Sequence, residues 1–213
     1  MSASSSPTTT PATPLAAWQR LRAGNERLFA PVRGHRGGLT ADPPVAAVFR
    51  CSDSGLAGEL VFGQSWGSLI DVSTWGHVID FGVLGALEFA VDTLEVPLIV
   101  VLGHHDCHAM QTAVRAWNEV TIPEGAIRTT VEHAFGSIVR RGAHGQSVEE
   151  VTTAHIVDTG LALLERSPTI ARRVDSGRCG IVCATTHQGN GRLQILSTVG
   201  ALGESADALL ECV

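Results

Sequence analysis

Three short apolar runs set the frame of the chain. Val45 to Phe49, Leu69 to Ser73 and Leu98 to Leu102 are too short for helices and rich in branched residues, so each is predicted as a strand. The third, opened by Pro97, is almost continuously hydrophobic, which marks a strand covered on both faces of a parallel sheet. A glycine-rich bend at Gly76 follows the second. Apolar positions at helical spacing fill the intervals: Leu15 to about Ala30, where Trp18, Leu21, Leu28 and Phe29 share a stripe, then Leu56 to Phe62, Gly82 to Leu94, Asp106 to Trp117, Glu124 to Arg140 and Val148 to Arg166. Gly180 to Thr185 and Leu193 to Ser197 are joined by the turn-rich HQGNGR, a connection short enough for an antiparallel hairpin. The pattern predicts an α/β fold: a mostly parallel β-sheet with an antiparallel edge strand, flanked by helices.

Chemistry collects at two predicted strand ends. Cys51 follows the first strand, and His104 and Cys107 follow the third, so all three emerge at the carboxyl edge, where open α/β sheets place their sites. Two thiolates and an imidazole suit Zn²⁺, and three protein ligands leave a fourth position for water or a carboxylate, the pattern of a catalytic site. The competing reading makes the cysteines small buried hydrophobes and His104 a satisfied turn histidine. Cys179 and Cys183, spaced to share one strand face, read as buried structural thiols, and Cys212 as an exposed one.

Composition narrows the class. A chain of 213 residues, 44% hydrophobic and 17% charged, suits a single domain over 15–213, preceded by a disordered tail over 1–14, MSASSSPTTTPATP. A net charge of −6 without basic runs gives no field for nucleic acid. No apolar stretch reaches membrane-spanning length, and the start lacks a secretory leader. Five scattered cysteines read as reduced thiols and ligands, which points to a cytoplasmic location.

Cys51-Ser-Asp53-Ser-Gly55 and His104-His-Asp-Cys107, together with WQRLRAGNERL, GHVID, LGALEFAVDTLEVPLIVVLGH and LLERSPTI, resemble the β-class carbonic anhydrases over nearly the whole chain after the tail. That family's zinc motif is Cys-x-Asp-x-Arg followed by His-x-x-Cys. The resemblance implies a Zn²⁺ cofactor on Cys51, His104 and Cys107, reversible hydration of CO2 to bicarbonate, and a homodimer, or a dimer of dimers, with each zinc near the subunit interface. It further implies that Gln64 donates hydrogen bonds in the substrate pocket, and that Asp53 either is held off the metal or becomes its fourth ligand.

This chain departs from the family at Gly55, where the arginine that pairs with the aspartate belongs. Zinc with two thiolates is neutral, and an unpaired Asp53 is expected to bind it and weaken hydration. Arg50, His77, His105 and His108 are the nearby cations by position; Arg50 points to the opposite side of its strand from Cys51, and His105 is preferred. Val72-Ser-Thr-Trp75-Gly76 replaces a family run of Val-Arg-x-Ala-Gly, and Trp66 adds a second indole, both read first as core or interface packing. Three functions follow: a carbonic anhydrase of reduced activity, a zinc protein made inactive by Asp53 capping the metal, and a hydrolase of a CO2 analogue such as COS or CS2.

Overall fold

The computed structural model describes residues 13–27, 43–187 and 191–202. Helix α1 (Pro14–Glu26) starts where Thr13 Oγ1 accepts the Ala16 amide at 3.2 Å and Pro14 supplies a preset φ at the first helical position. It buries Ala17, Trp18 and Leu21. Leu28, Phe29 and Cys212, most of the tail, and the tip of the hairpin loop lie outside the described residues.

A five-stranded sheet follows, in the spatial order β2-β1-β3-β4-β5. Its strands are β1 (Ala46–Cys51), β2 (Leu69–Thr74), β3 (Leu98–His104), β4 (Gly180–Thr186) and β5 (Leu193–Gly200). β1 pairs in parallel with β2 and β3, and β3 with β4, while β5 closes the edge antiparallel to β4. The expected architecture is therefore the observed one.

Alternation along the strands divides the core into two layers. Ala47, Phe49, Ile99, Val101, Ile181 and Cys183 face one layer, and Ala46, Val48, Leu98, Val100, Val182 and Ala184 face the other. Both faces are covered, the first by α3 (Phe81–Glu88), α6 (Val148–Arg166) and α7 (Pro168–Asp175), the second by α1 and the short α2 (Gly58–Val61). Cys179 and Cys183 sit in the first layer as free thiols, and burial raises their pKa to about 12 and about 11.

Two elements differ from the sequence expectation. The helix expected over Gly82 to Leu94 is α3 followed by a π-helical turn, Phe89–Thr93. Helix α7 was not expected; Ser167 Oγ caps it by accepting the Ile170 amide at 3.1 Å, and Pro168 opens it.

From β1 the chain crosses to β2 on one side, then returns to β3 on the other. The connections leaving the adjacent carboxyl ends of β1 and β3 thus diverge at a topological switch point, which leaves a crevice there. Helices α4 (His108–Glu119) and α5 (Ile127–Arg141) form its wall, with a third cluster of buried residues that includes Cys51, Cys107, Ala109, Met110 and Ala134.

Candidate metal centre

Cys51 ends β1, His104 ends β3, and Cys107 caps the start of α4, so the switch point brings the three together. Asp53 joins them from the turn after β1. One donor atom from each of the four lies within 4.8 Å of the others. Cys51 Sγ and Cys107 Sγ are 3.8 Å apart, and Cys107 Sγ is 3.8 Å from Asp53 Oδ1. Tetrahedral zinc with Zn–S bonds of about 2.3 Å separates two thiolates by about 3.8 Å, so the sulfur pair has the spacing such an ion requires. His104 Nε2 approaches Asp53 Oδ1 to 2.7 Å, closer than two ligands of one tetrahedral ion, so the carboxylate and the imidazole also engage each other directly.

Local backbone fixes each donor. His104 Nδ1 faces the His105 carbonyl at 2.8 Å, and since a carbonyl only accepts, Nδ1 carries the proton and Nε2 is turned to the centre. The Gly76 amide donates to Cys51 Sγ at 3.0 Å. Asp53 Oδ2 accepts the His108 amide at 2.9 Å and lies 3.4 Å from His108 Nδ1, whose side chain is otherwise exposed.

The electrostatics are those of a site that shares few protons among many donor groups. Cys107 beside it, and then burial, push the Cys51 thiol up. Cys107 moves the other way, lowered by Cys51 and, against burial, by the amides of the first turn of α4. Burial would raise the Asp53 carboxyl, but Cys51, His104 and the His108 amide together hold it low. Burial likewise opposes a charge on His104, which Cys51 and Asp53 outweigh, so its pKa is raised.

The remaining sequence candidates fall elsewhere. Gln64 is buried, with its Oε1 accepting from Arg20 Nε at 3.0 Å and its Nε2 donating to the Phe62 carbonyl at 2.8 Å. Arg50 is bound through Nε to both oxygens of Asp71 at 2.8 and 2.9 Å, on the far side of the strand as its register requires. His105, preferred from sequence as the partner of Asp53, packs instead against the His187 ring at 5.2 Å, and its Nε2 is buried without a hydrogen bond. His77 is buried with Nε2 3.0 Å from the Leu102 carbonyl. Trp75 packs against the cluster that holds both cysteines, whereas Trp66 is 53% exposed on its loop. The donors that sequence reading missed are the amides of Gly76 and His108. Their traces in the sequence are a glycine after β2 and the start of a helix just past Cys107.

A parallel-sheet switch point holding two thiols, an imidazole and a carboxylate defines a candidate metalloprotein of the α/β class. The family model described as "Carbonic anhydrase" matches residues 46–193. The chain is 41% identical over 200 residues to Carbonic anhydrase 2 of Mycobacterium tuberculosis and, also at 41% over 200 residues, to a carbonic anhydrase of Mycolicibacterium smegmatis; each match covers 90% of this chain and 97% of the relative. Among solved structures, a Coccomyxa β-carbonic anhydrase in complex with acetazolamide has the same fold at 20% identity, with a TM-score of 0.65 over 91% of this chain and 90% of that one. A tetrameric β-carbonic anhydrase of Sordaria macrospora gives 0.63 at 18% identity over 74% and 83%. The chain belongs to the β-carbonic anhydrase family.

Proposed function

We propose that the protein is a zinc-dependent carbonic anhydrase that interconverts CO2 and bicarbonate, with Cys51, His104 and Cys107 as ligands and Asp53 at the fourth position. The observation that carries this reading is the cluster of four donors found among the described residues, with its sulfurs 3.8 Å apart. Bound there, zinc would supply a water of pKa about 7 as the source of hydroxide. The chain's own residues do the rest. The His105 carbonyl keeps His104 Nε2 available as a donor, and the amides of Gly76 and His108 stabilise negative charge on Cys51 and Asp53.

Asp53 decides the rate. Its Oδ1 lies inside the donor set while its Oδ2 is held by the His108 amide, where the family pattern has an arginine in place of Gly55. That geometry supports an Asp53 that occupies the water position much of the time, and hence weak turnover. The same observation favours the second reading, a zinc protein that Asp53 caps permanently.

Gln64 has its amide engaged by Arg20 and Phe62 within its own chain, and a role in the substrate pocket is assigned to it as part of this proposal, at the site of a second copy. A homodimer or dimer of dimers supplies that copy, and Phe81, 93% exposed, is the kind of side chain such an interface covers. No helix among the described residues is long and apolar enough to cross a membrane, and a cytoplasmic location fits the free cysteines.

Stopped-flow CO2 hydration between about pH 6.5 and 9, with zinc measured in the same sample, tests the proposal. Stoichiometric zinc with turnover above buffer supports the hydratase. Stoichiometric zinc without turnover establishes the capped protein, and turnover of COS or CS2 in its place moves the substrate class.

A further inference from the structure

A line of polar groups runs from the Gly76 amide, which meets Cys51, into helices α5 and α6, and beyond that amide the proposed reaction uses none of them. It begins at Gly76, which stands in the left-handed region (φ 67°, ψ 31°) where side chains are disfavoured. The space is closed as well: a Cβ there would come within 2.2 Å of Thr130 Cγ2 and 2.9 Å of Ala109 Cβ. Both flanking peptides are pinned. Thr130 Oγ1 donates to the Trp75 carbonyl at 3.2 Å, and His155 Nε2 donates to the Gly76 carbonyl at 2.9 Å. In a trans peptide the carbonyl and the N–H point in opposite directions, so the Thr130 hydroxyl, by fixing the Trp75 carbonyl, aims the Gly76 N–H at Cys51 Sγ.

His155 is held in turn. Ser137 Oγ lies 2.9 Å from His155 Nδ1 and 2.8 Å from Asp158 Oδ2, and Arg140 grips Asp158 through Nε at 2.9 Å and Nη2 at 2.5 Å. Thr130, Ser137, His155 and Asp158 are all buried. A buried histidine, serine and aspartate carry desolvation costs that apolar residues would avoid, and through His155 they bear on the Gly76 carbonyl.

We propose that Thr130 and His155 are positioning residues for the metal centre, acting through the Gly76 amide to orient the Cys51 sulfur and stabilise its negative charge. The proposal rests on the metal reading above. Such outer contacts to a metal ligand are typically worth about 10-fold to 100-fold in metal affinity.

The test uses the full chain loaded with Co²⁺, whose thiolate-to-metal charge-transfer band reports the energy of the sulfur lone pairs, and a competing chelator to read affinity. Thr130→Val removes only the hydroxyl at constant shape, and Thr130→Ser keeps it. Thr130→Val and His155→Ala are expected to shift the band to longer wavelength and weaken Co²⁺ binding about 10-fold or more. Thr130→Ser is expected to match the unaltered protein in both. Should His155→Ala not fold, Thr130→Val against Thr130→Ser decides alone. Folded Thr130→Val with band and affinity unchanged overturns the proposal. If the unaltered protein takes up no Co²⁺ at all, the metal reading itself fails.

Discussion

Asp53 is tied to the first turn of helix α4: its Oδ2 accepts the backbone N–H of His108 at 2.9 Å. The carboxylate is therefore held by the same β3–α4 segment that carries His104 and Cys107, and by an amide that no side-chain change removes. Proline removes it. His108 is the first residue of α4, where proline is well tolerated, and Cys107 before it is extended (φ −60°, ψ 114°), as a residue preceding proline must be. His108→Pro is expected to keep the fold, release Asp53, and raise CO2 hydration by about tenfold, the worth of a hydrogen bond to a charged group of about 1.5 kcal/mol. His108→Ala, which keeps the amide, should change it less than about twofold. Equal rates in the two variants would separate Asp53 from the control of turnover.

Gly55→Arg restores the family's side chain at a position with room for it. Nothing lies within 4 Å of a Cβ built there, but φ is +67°. The expected cost in denaturant unfolding is about 1–2 kcal/mol, the penalty of a side chain in the left-handed region. Zinc content should be unchanged and hydration faster. Retained zinc with no gain in rate would show that the guanidinium does not engage Asp53.

Gly76→Ala has neither freedom. The new methyl would overlap Thr130 and Ala109 in addition to the unfavourable φ, and a loss of about 3 kcal/mol or more is expected in equilibrium unfolding. Adding Thr130→Ser, which removes the overlapping Cγ2, should recover part of that loss but not the backbone part. A single variant as stable as the unaltered protein would contradict the packing described around Gly76.

His77 makes stability sensitive to mild acid. Burial, with His155 adding to it, lowers its pKa to about 3 from an ordinary 6.5. A histidine kept neutral by folding is protonated first in the unfolded chain, so its contribution is fully present above about pH 6.5 and is lost as pH falls toward 3. The slope is about 1.4 kcal/mol per pH unit. His77→Gln, which keeps a donor for the Leu102 carbonyl, should flatten the stability profile between pH 4 and 6 by about that slope. Parallel profiles would mean that His77 takes up no proton on unfolding in this range.

The sheet was legible because its strands carry the pattern of their own burial: neighbouring positions such as Ala46 and Ala47, or Val100 and Val101, are all apolar because each faces a different layer. Cys51, His104 and Cys107 were legible because strand ends can be located, and a switch point brings the ends of β1 and β3 together. Helix α7 is hard to see in the sequence since its eight residues follow α6 after a single intervening position, so the helical run ending at Arg166 obscures the Ser167-Pro168 start signal. The partner of Asp53 escaped for a different reason. Among basic side chains the sequence favours His105, whereas the donor is the amide of His108, and every residue but proline has one. The Thr130 contact to Trp75 and the His155 contact to Gly76 join α5 and α6 to a turn far away in the chain, a relation that no local spacing encodes.

Cys51 and Cys107 stand 56 positions apart in the chain with their sulfurs 3.8 Å apart. Anything that binds both is a staple across that loop, and a permanent link between points so separated is worth about 4 kcal/mol in unfolded-chain entropy. A metal held there would thus act on folding as well as on chemistry: a chelator that strips it would remove a crosslink between the first and third strands, and the ends of β1 and β3 should then be the first parts of the sheet to exchange their amide hydrogens.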